Sequence, residues 1–356
     1  MRSILSPPDV HPDPARASLL PPHAYADPDV YRTLCERAFA QSWHLVGPLP
    51  RTPRSATPFT LLPGCLDEPL LATVDEAGVR RVVSNVCTHR CALLCEEPQA
   101  GAALVCRYHG RRFGLDGRFR SHKGFEGALD FPSPADDLAV VAHVEEGPLD
   151  FVHLGPAPDF APIAQALRAH LGPDLGAPGA VWSEVGGSAK SYDVEGNWML
   201  WVDNYLEGFH IPTVHPALSR QLDPAVYRSE LFSGGSVQLG YPRAGEGKSS
   251  GEISAFYFWI FPATVINVYG WGISVNVVEP TGPTTCRVRY RRLVRDATQL
   301  AVGPGSDLHT VELEDDAMVA SVARGVRARL ARRGRYAPAH EAGVHHFHRM
   351  VAALLA

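Results

Sequence analysis

The sequence lacks any long apolar segment. No run in its 356 residues approaches the roughly 18 apolar residues that a membrane helix needs, and Pro7 and Pro8 interrupt the start too early for the apolar core of a signal peptide. We therefore expect no membrane partner and no export, and the simplest prediction is a cytoplasmic protein.

Basic residues are not in excess and form no dense stripe. Lys and Arg total 33 against 38 for Asp and Glu, a net charge of −5, which disfavours a nucleic-acid partner. The chain also lacks a G-x-G-x-x-G dinucleotide fingerprint. Any redox function would therefore need a separate NAD(P)H-dependent reductase or a ferredoxin.

Cysteine is limited to seven residues. An odd number, without a secretory signal, favours reduced thiols or metal ligands over a disulfide framework. Hydrophobic residues make up 45% of the chain and charged residues 20%, which is ordinary globular usage. The function is therefore expected in a folded site, and the length allows two domains.

The first two segments of the chain differ in their proline content and periodicity. Residues 1–42 contain a proline-rich leader and a helical pattern between Asp27 and Trp43. Residues 43–155 consist of short β-rich runs separated by Gly, Pro and Asp. This spacing predicts a small all-β domain.

Residues 156–356 form the third predicted segment. After a proline-rich connection come a helix near 196–210, several aromatic strands, and two helical stretches near 307–333 and 339–355. Strands followed by segregated helices predict an α+β fold for this part of the chain.

A first group of metal-ligand residues lies in the β-rich segment. Cys87-x-His89 and Cys106-x-x-His109 each end a β-like run and enter a turn. Two cysteines and two histidines suit either a zinc ion or a Rieske [2Fe–2S] cluster. Because each half supplies one Cys and one His, the spacing favours the Rieske cluster. Buried core residues, or a thiolate cluster with Cys91 and Cys95, are the weaker alternatives; we expect those two thiols to be packed core or neighbours of the cluster.

A second group combines two histidines with a distant carboxylate. Pro212 should exclude Ile211 from the α region, so the helix is expected to end near His210, with His215 just beyond. Asp315 falls in a later apolar stripe whose other members are Leu308, Val311, Met318, Val322 and Val326. Two histidines and one carboxylate are the ligand set of non-haem Fe(II). The alternative is ordinary helix-end histidines and a solvated acidic cluster, Glu312, Glu314, Asp315 and Asp316.

Three motifs together resemble the α subunits of Rieske non-haem iron oxygenases. They are C-x-H-x₁₆-C-x₂-H, then N-Y-L-E-G-F-H-x₄-H, then E-D at 314–315. The shorter members, similar to choline, carnitine and glycine-betaine monooxygenases, look most alike. The resemblance implies an all-β Rieske domain inserted into a helix-grip (START-like) catalytic domain with an antiparallel sheet. It also implies a homotrimer, a [2Fe–2S] cluster, a mononuclear Fe(II) and O₂ as co-substrate.

The resemblance assigns roles to individual residues. The cluster ligands map onto Cys87, His89, Cys106 and His109, and the iron ligands onto His210, His215 and Asp315. A bridging acid maps onto Glu207 and an asparagine near the iron onto Asn204. Two positions depart from the family pattern: Cys91 replaces a common glycine, and Arg111 replaces a common tryptophan.

The implied function is an oxygenase component that receives electrons from a separate protein and hydroxylates or N-demethylates a small substrate. A quaternary ammonium or other small aliphatic compound is favoured as the substrate. Strand aromatics could form a cage for such a cation, could equally hold an aromatic ring, or could simply be core; they are Phe256, Tyr257, Phe258, Trp259, Tyr269 and Trp271. Hydroxylation of an aromatic ring is the alternative. A redox-sensing binding protein and a pure electron carrier are further rivals. We expect His345 and His348 to be solvated or packed rather than metal-bound.

Overall fold

The computed structural model describes residues 8–171, 182–186, 188–243, 253–295, 297–300, 305 and 307–356. The chain divides into two compact units, a smaller one of Gln41–Pro158 and a larger one of Met1–Ala40 with Asp159–Ala356. None of the described helices combines the length and apolar composition needed to cross a membrane.

The smaller unit is built from antiparallel strands, as its short β-rich runs predict. A seven-stranded sheet has the order β1-β10-β9-β4-β3-β2-β5, and a three-stranded sheet has the order β6-β7-β8. The strands are β1 His44–Gly47, β2 Ser55–Leu61, β3 Glu68–Val74, β4 Arg80–Ser84, β5 Gln99–Ala100, β6 Ala103–Val105, β7 Arg112–Gly114, β8 Phe119–Ser121, β9 Val140–Glu146 and β10 Leu149–His153.

The core of the smaller unit joins its sheets to two cysteine-bearing turns. Leu71 of β3, Val83 of β4 and Phe113 of β7 are buried in one cluster with Cys87 and Cys106. Alternate residues of a strand point to opposite faces, so each of these strands can contribute to this core from one face. The two turns are therefore anchored by apolar packing close to their cysteines.

The larger unit contains an eight-stranded antiparallel sheet, so the predicted α+β class is confirmed. Its order is β11-β18-β17-β16-β15-β14-β13, and β12 also pairs with β18. The strands are β11 Ser183–Glu184, β12 Lys190–Val194, β13 Arg228–Phe232, β14 Gly235–Gly240, β15 Ala255–Ile260, β16 Thr264–Tyr269, β17 Gly272–Gly282 and β18 Thr285–Val294.

Helices of the larger unit pack on this sheet through aromatic side chains. The described helices of this unit are α1 Pro28–Leu34, followed by a π-helical turn Cys35–Phe39, then α2 Ala161–Leu171, α3 Trp198–Tyr205, α4 Ile211–Val214, α5 Pro216–Gln221, α6 Leu308–Gly325 and α7 Ala342–Leu355. The rings of Phe39, Trp198, Phe347 and Trp259 form a continuous series with centroid separations of 4.8, 5.6 and 5.4 Å. This series joins the N-terminal region, α3, α7 and β15.

The predicted helix near 196–210 is shorter than expected. It begins after Asn197, whose side chain accepts a hydrogen bond from the Met199 amide, and it ends at Tyr205. The expectation that Pro212 excludes Ile211 from a helix was wrong, because both residues belong to α4. Pro212 lies in the first turn of α4, where its missing N–H is not needed.

The inward face of α6 also differs from the predicted stripe. Met318 and Val322 are 41% and 49% exposed, whereas the buried residues of α6 are Leu308, Glu312, Val319 and Ala323. Val319 packs so tightly against Gly196 that a Cβ there would lie 2.7 Å from its side chain. Packing of α6 beside α3 therefore sets which face is buried.

A buried polar network links three distant parts of the larger unit. His348 of α7 lies 2.8 Å from Asp203 of α3 through Nε2 and 2.7 Å from the Tyr336 hydroxyl through Nδ1. The Tyr25 hydroxyl donates to the other Asp203 oxygen at 2.8 Å. His345 bonds the His11 carbonyl. His345 and His348 are thus packed and hydrogen-bonded, one of the two outcomes expected.

The close approach of β17 and β18 allows a test of this fold. Gly272 has φ +152°, and a Cβ there would lie 2.3 Å from the Leu293 carbonyl oxygen. We expect Gly272→Ala to destabilise the larger unit by about 3 kcal/mol, because the backbone of β18 cannot move aside freely. Thermal unfolding measures the effect. Gly270→Ala is the matched control, since nothing lies within 4 Å of its Cβ position; equal midpoints for the two variants would contradict the packing described.

Candidate metal centres and an adjoining cavity

His210, His215 and Asp315 meet in the larger unit. One donor atom from each lies within 4.8 Å of the others. Asp315 Oδ1 is 2.9 Å from His215 Nε2 and 3.6 Å from His210 Nε2. The structure therefore brings together all three residues that the sequence predicts as iron ligands, although α6 contributes Asp315 from one hundred residues beyond His215.

Glu207 shapes the turn that carries His210. After α3 ends, Glu207 Oε2 accepts hydrogen bonds from the amides of Phe209 and His210. Its Oε1 lies 2.7 Å from His210 Nδ1. These contacts supply partners for amides that the helix would otherwise bond, which explains why α3 stops short of His210.

Glu314 places a carboxylate at Nδ1 of His215, as Glu207 does at Nδ1 of His210. The sequence analysis did not identify Glu314 as a residue of the site. Glu314 Oε2 lies 2.7 Å from His215 Nδ1. Burial of His215 lowers its pKa, but the hydrogen bonds and charges of Asp315 and Glu314 outweigh burial and leave its pKa raised. The only sequence signal was the adjacency of Glu314 to Asp315, which the solvated-cluster alternative also explained.

The donor set fits a mononuclear iron ion. Each imidazole has a carboxylate at Nδ1, and both Nε2 atoms face Asp315 Oδ1; with a metal ion bound, the Nδ1 contacts would keep the proton on Nδ1 and leave Nε2 as the metal ligand. Asn204 Nδ2 donates to Asp315 Oδ1 at 2.6 Å, which orients the third ligand. Two imidazoles and one carboxylate on one side of a site leave positions open for other ligands.

A cavity of about 70 Å³ adjoins the three residues. Four tyrosines line it, namely Tyr205, Tyr227, Tyr257 and Tyr269. Burial raises the pKa of each hydroxyl above its ordinary value, so all four remain neutral phenols. Of the six strand aromatics expected near the substrate, Tyr257 and Tyr269 line this cavity; Tyr205 and Tyr227 were not predicted.

Glu312 also lines the cavity, and the alternative that grouped it with solvated acids was wrong for this residue. Its side chain is buried, and Oε1 accepts a hydrogen bond from Asn276 Nδ2. Oε2 has no hydrogen-bond partner in the described part of the chain. Burial and the charge of Asp315 raise the pKa of Glu312 to about 8.

The second metal-ligand group lies at two turns of the smaller unit. Cys87 and Cys106 are buried in the same core cluster, and the neighbouring Cys106 thiol contributes to raising the pKa of Cys87. The ring centroids of His89 and His109 are 4.8 Å apart. The structure therefore brings the four predicted residues together, with the sulfur atoms inside and the imidazoles towards the surface.

The surroundings of these sulfur atoms suit an iron–sulfur cluster. Burial raises the pKa of the Cys87 thiol, while the amides of His89 and Arg90, which donate to its sulfur, act in the opposite direction. Amide donors to the sulfur atoms tune such clusters. Burial and the neighbouring His109 and His122 lower the pKa of His89, which favours the neutral form that binds metal.

The two departures from the family pattern lie beside these turns. Cys91 is exposed and has φ +54°, a conformation that glycine adopts more readily. It is therefore a neighbour of the site and not packed core, whereas Cys95 is buried. Arg111 is buried among phenylalanine rings.

Two protein-family models match separate parts of the chain. The model of the Rieske [2Fe-2S] domain covers residues 59–131, and the model of the ring hydroxylating alpha subunit (catalytic domain) covers residues 183–356. The first lies in the smaller unit with Cys87 and His89; the second includes His210, His215 and Asp315.

Similar proteins include two kinds of monooxygenase. The chain is 28% identical to the chloroplastic choline monooxygenase of Arabidopsis thaliana, over 94% of this chain and 82% of that enzyme. It is 27% identical to the carnitine monooxygenase oxygenase subunit of Escherichia coli (strain K12), over 75% and 73%.

Solved structures show the same fold. The quaternary ammonium Rieske monooxygenase CntA in complex with L-carnitine superposes with a TM-score of 0.78 at 21% identity, over 98% of this chain and all of that one. Naphthalene 1,2-dioxygenase superposes with a TM-score of 0.70 at 15% identity, over 95% and 92%.

The contact between Glu314 and His215 generates a prediction about metal binding. We expect Glu314→Gln to weaken binding of the mononuclear iron by about 10- to 100-fold, because His215 loses the carboxylate that orients it. Iron content per chain after dialysis against a graded chelator measures the loss. Acid-labile sulfide is the internal control and should not change, since it reports the other centre; undiminished iron affinity would show that Glu314 has no part in the site.

Proposed function

Since the chain belongs to the α subunits of Rieske non-haem iron oxygenases, we propose that it hydroxylates or N-demethylates a small quaternary ammonium substrate. It is an oxidoreductase that carries a Rieske [2Fe–2S] cluster and a mononuclear iron and uses O₂. Its electrons come from a separate reductase or ferredoxin, as membership of this family implies.

The proposed ligands are the residues that the two centres bring together. Cys87, Cys106, His89 and His109 hold the cluster, and His210, His215 and Asp315 hold the iron. When bound, the cluster supplies single electrons and the iron supplies a site for O₂ activation.

The residues around the iron ligands orient them. In the metal-bound protein, Glu207 and Glu314 would hold the Nδ1 protons of His210 and His215, which leaves both Nε2 atoms to bind the metal. Asn204 holds Asp315 in position through its amide. The tyrosine rings of the cavity exclude water from the adjoining space.

Glu207 is the proposed connection to the electron donor. Its carboxylate bonds His210 yet remains partly accessible, and the adjacent Phe209 is 58% exposed. These features support an arrangement in which, within a homotrimer, the acid also accepts a hydrogen bond from a cluster-ligand histidine of a neighbouring protomer. A cytoplasmic location stays a prediction from the composition.

The proposed substrate class rests on one observation. The buried carboxyl of Glu312, whose Oε2 has no described hydrogen-bond partner, lines a tyrosine-rich cavity beside the proposed iron ligands. Aromatic rings attract a quaternary ammonium group through their faces, and a carboxylate supplies the opposite charge. A bound cation would favour the ionised form of Glu312, which burial otherwise disfavours. The similarity to a choline monooxygenase and a carnitine monooxygenase supports the same substrate class, quaternary ammonium compounds.

The proposed role of Glu207 can be tested without removing either metal. We expect Glu207→Gln protein that is reconstituted with excess iron to hold both metals, because all seven proposed ligands remain; excess iron is needed because His210 loses the carboxylate at its Nδ1 atom, as His215 does in Glu314→Gln. Product formation should fall by at least about 100-fold when electrons come from the reductase. Product is measured against NAD(P)H consumed; full coupled turnover in this variant would exclude the proposed connection.

The substrate class can be tested with a charged compound and its neutral isostere. We expect the holoenzyme to bind choline at least about tenfold more tightly than 3,3-dimethylbutan-1-ol, and Glu312→Gln to lose most of this preference. Calorimetric titration under argon measures both affinities.

Tyr257→Phe is the matched control for this experiment. It keeps the ring and removes only a hydroxyl that has no described partner, so the preference for choline should persist. Tighter binding of toluene than of choline by the wild type would favour the aromatic alternative. Binding of choline without any turnover in the reduced, O₂-exposed holoenzyme would favour the ligand-binding sensor.

A further inference from the structure

The smaller unit buries a positive charge among three aromatic rings. The Arg111 side chain is only 2% exposed, and its guanidinium carbon lies 5.0, 5.5 and 5.4 Å from the ring centroids of Phe119, Phe125 and Phe131. Cation–π attraction of this kind strengthens when the cation is desolvated. We call these four residues the arginine pocket.

Hydrogen bonds hold the guanidinium in one orientation. Arg111 Nη2 donates to Asp136 Oδ1 at 2.6 Å, and Nη1 donates to the Thr88 hydroxyl at 3.0 Å. Asp136 is itself anchored, because its Oδ2 accepts hydrogen bonds from the amide and hydroxyl of Ser133. The charge therefore has a defined position.

Stability of the fold does not account for this arrangement. Taking two charges out of water costs several kcal/mol for each, and apolar residues of similar volume often replace a buried ion pair without loss. A site lined by Phe119, Phe125 and Phe131 suits an apolar side chain at least as well. We therefore look for the role of this charge in the residues that Arg111 contacts.

Both proposed ligand turns of the cluster contact Arg111. Thr88, which accepts its hydrogen bond, lies between Cys87 and His89 in the chain. The Arg111 carbonyl accepts a hydrogen bond from the Cys106 amide at 2.8 Å. The ring of Phe125 contacts the guanidinium on one side and lies 5.4 Å from the His89 ring on the other.

The negative partner of Arg111 does not cancel its charge at this position. The Asp136 side chain is 19% exposed against 2% for Arg111, so water screens the carboxylate more than the guanidinium. The Thr88 hydroxyl accepts a hydrogen bond from the guanidinium and donates one to the backbone carbonyl of Asp136 at 2.8 Å, so Thr88 bonds the main chain of Asp136 and not its carboxylate. The ion pair is thus a dipole whose positive end faces the cluster ligands.

We propose that Arg111 raises the reduction potential of the Rieske cluster. Reduction transfers one electron from the reductase to the oxidised cluster, so the reduced form carries one more negative charge. A fixed positive charge in a poorly screened pocket stabilises that form over the oxidised one. This inference rests on the proposed cluster ligands and is independent of the substrate.

The potential itself is the readout. The full-length holoprotein is titrated anaerobically with dithionite, and the reduced cluster is followed by its EPR signal. We expect Arg111→Met, which keeps the apolar volume and removes the charge, to lower the ratio of reduced to oxidised cluster about tenfold at a fixed ambient potential. For a one-electron couple this is a fall of about 59 mV.

Two further variants test the sign of the shift in reduction potential independently. Arg111→Lys keeps the charge and should keep most of the potential, whereas Asp136→Asn removes the screening carboxylate and should raise the potential. Arg120→Met is the matched control: this arginine of β8 is 54% exposed, so its removal should leave the potential unchanged.

The outcomes separate this inference from the proposed function. A wild type without a Rieske-type EPR signal would overturn the cluster assignment and with it the proposal. An intact signal with equal potentials in the wild type and Arg111→Met would overturn the role of Arg111 alone. If Arg111→Met loses its cluster, Asp136→Asn decides: a raised potential supports the proposal, and an unchanged or lowered one contradicts it.

Discussion

Hydrogen bonds between carboxylates and the Nδ1 or Nε2 atoms of histidines are the interaction on which the larger unit depends. Among these pairs are Glu207 with His210, Glu314 with His215, and Asp203 with His348. Each pair removes two polar groups from water, and each group compensates the desolvation of the other. Two of the pairs orient proposed iron ligands; the third lies one residue before Asn204, which orients the remaining ligand, Asp315.

These pairs also explain why separate parts of the chain belong to one unit. α3 is held through Asp203 by α7 and by Tyr25 of the N-terminal region, and through Asn204 by α6. Residues that line the cavity come from α3, from α6 and from the sheet. The cavity beside the proposed iron ligands is therefore a product of the same contacts that assemble the fold.

The smaller unit has the opposite electrostatic requirement, because its proposed metal ligands include negatively charged sulfur atoms. It must hold sulfur ligands that are negative when metal is bound, and it does so with amide donors to Cys87 and with the positively charged arginine pocket behind Thr88. Carboxylates stabilise imidazoles that bind a cation, whereas an arginine stabilises a cluster that gains an electron. In each unit, the charged side chain near the proposed metal centre therefore has the sign opposite to the charge that it stabilises.

The sequence by itself determined the class of fold and the β-rich and α+β segments. Its short spacings, such as C-x-H and H-x₄-H, predicted most of the residues that the structure brings together at the two candidate metal centres, because such spacings act through the local chain. Only the tertiary structure decided the end of α3, the buried face of α6 and the roles of Glu312 and Glu314. The orientation of α6 comes from Val319 packing against Gly196, a contact between residues far apart in the chain. Helical periodicity alone placed Met318 on the inward side and left Glu312 among solvated acids; the structure reverses both, because the apolar stripe of α6 is weak and the partner that buries one side is not encoded locally.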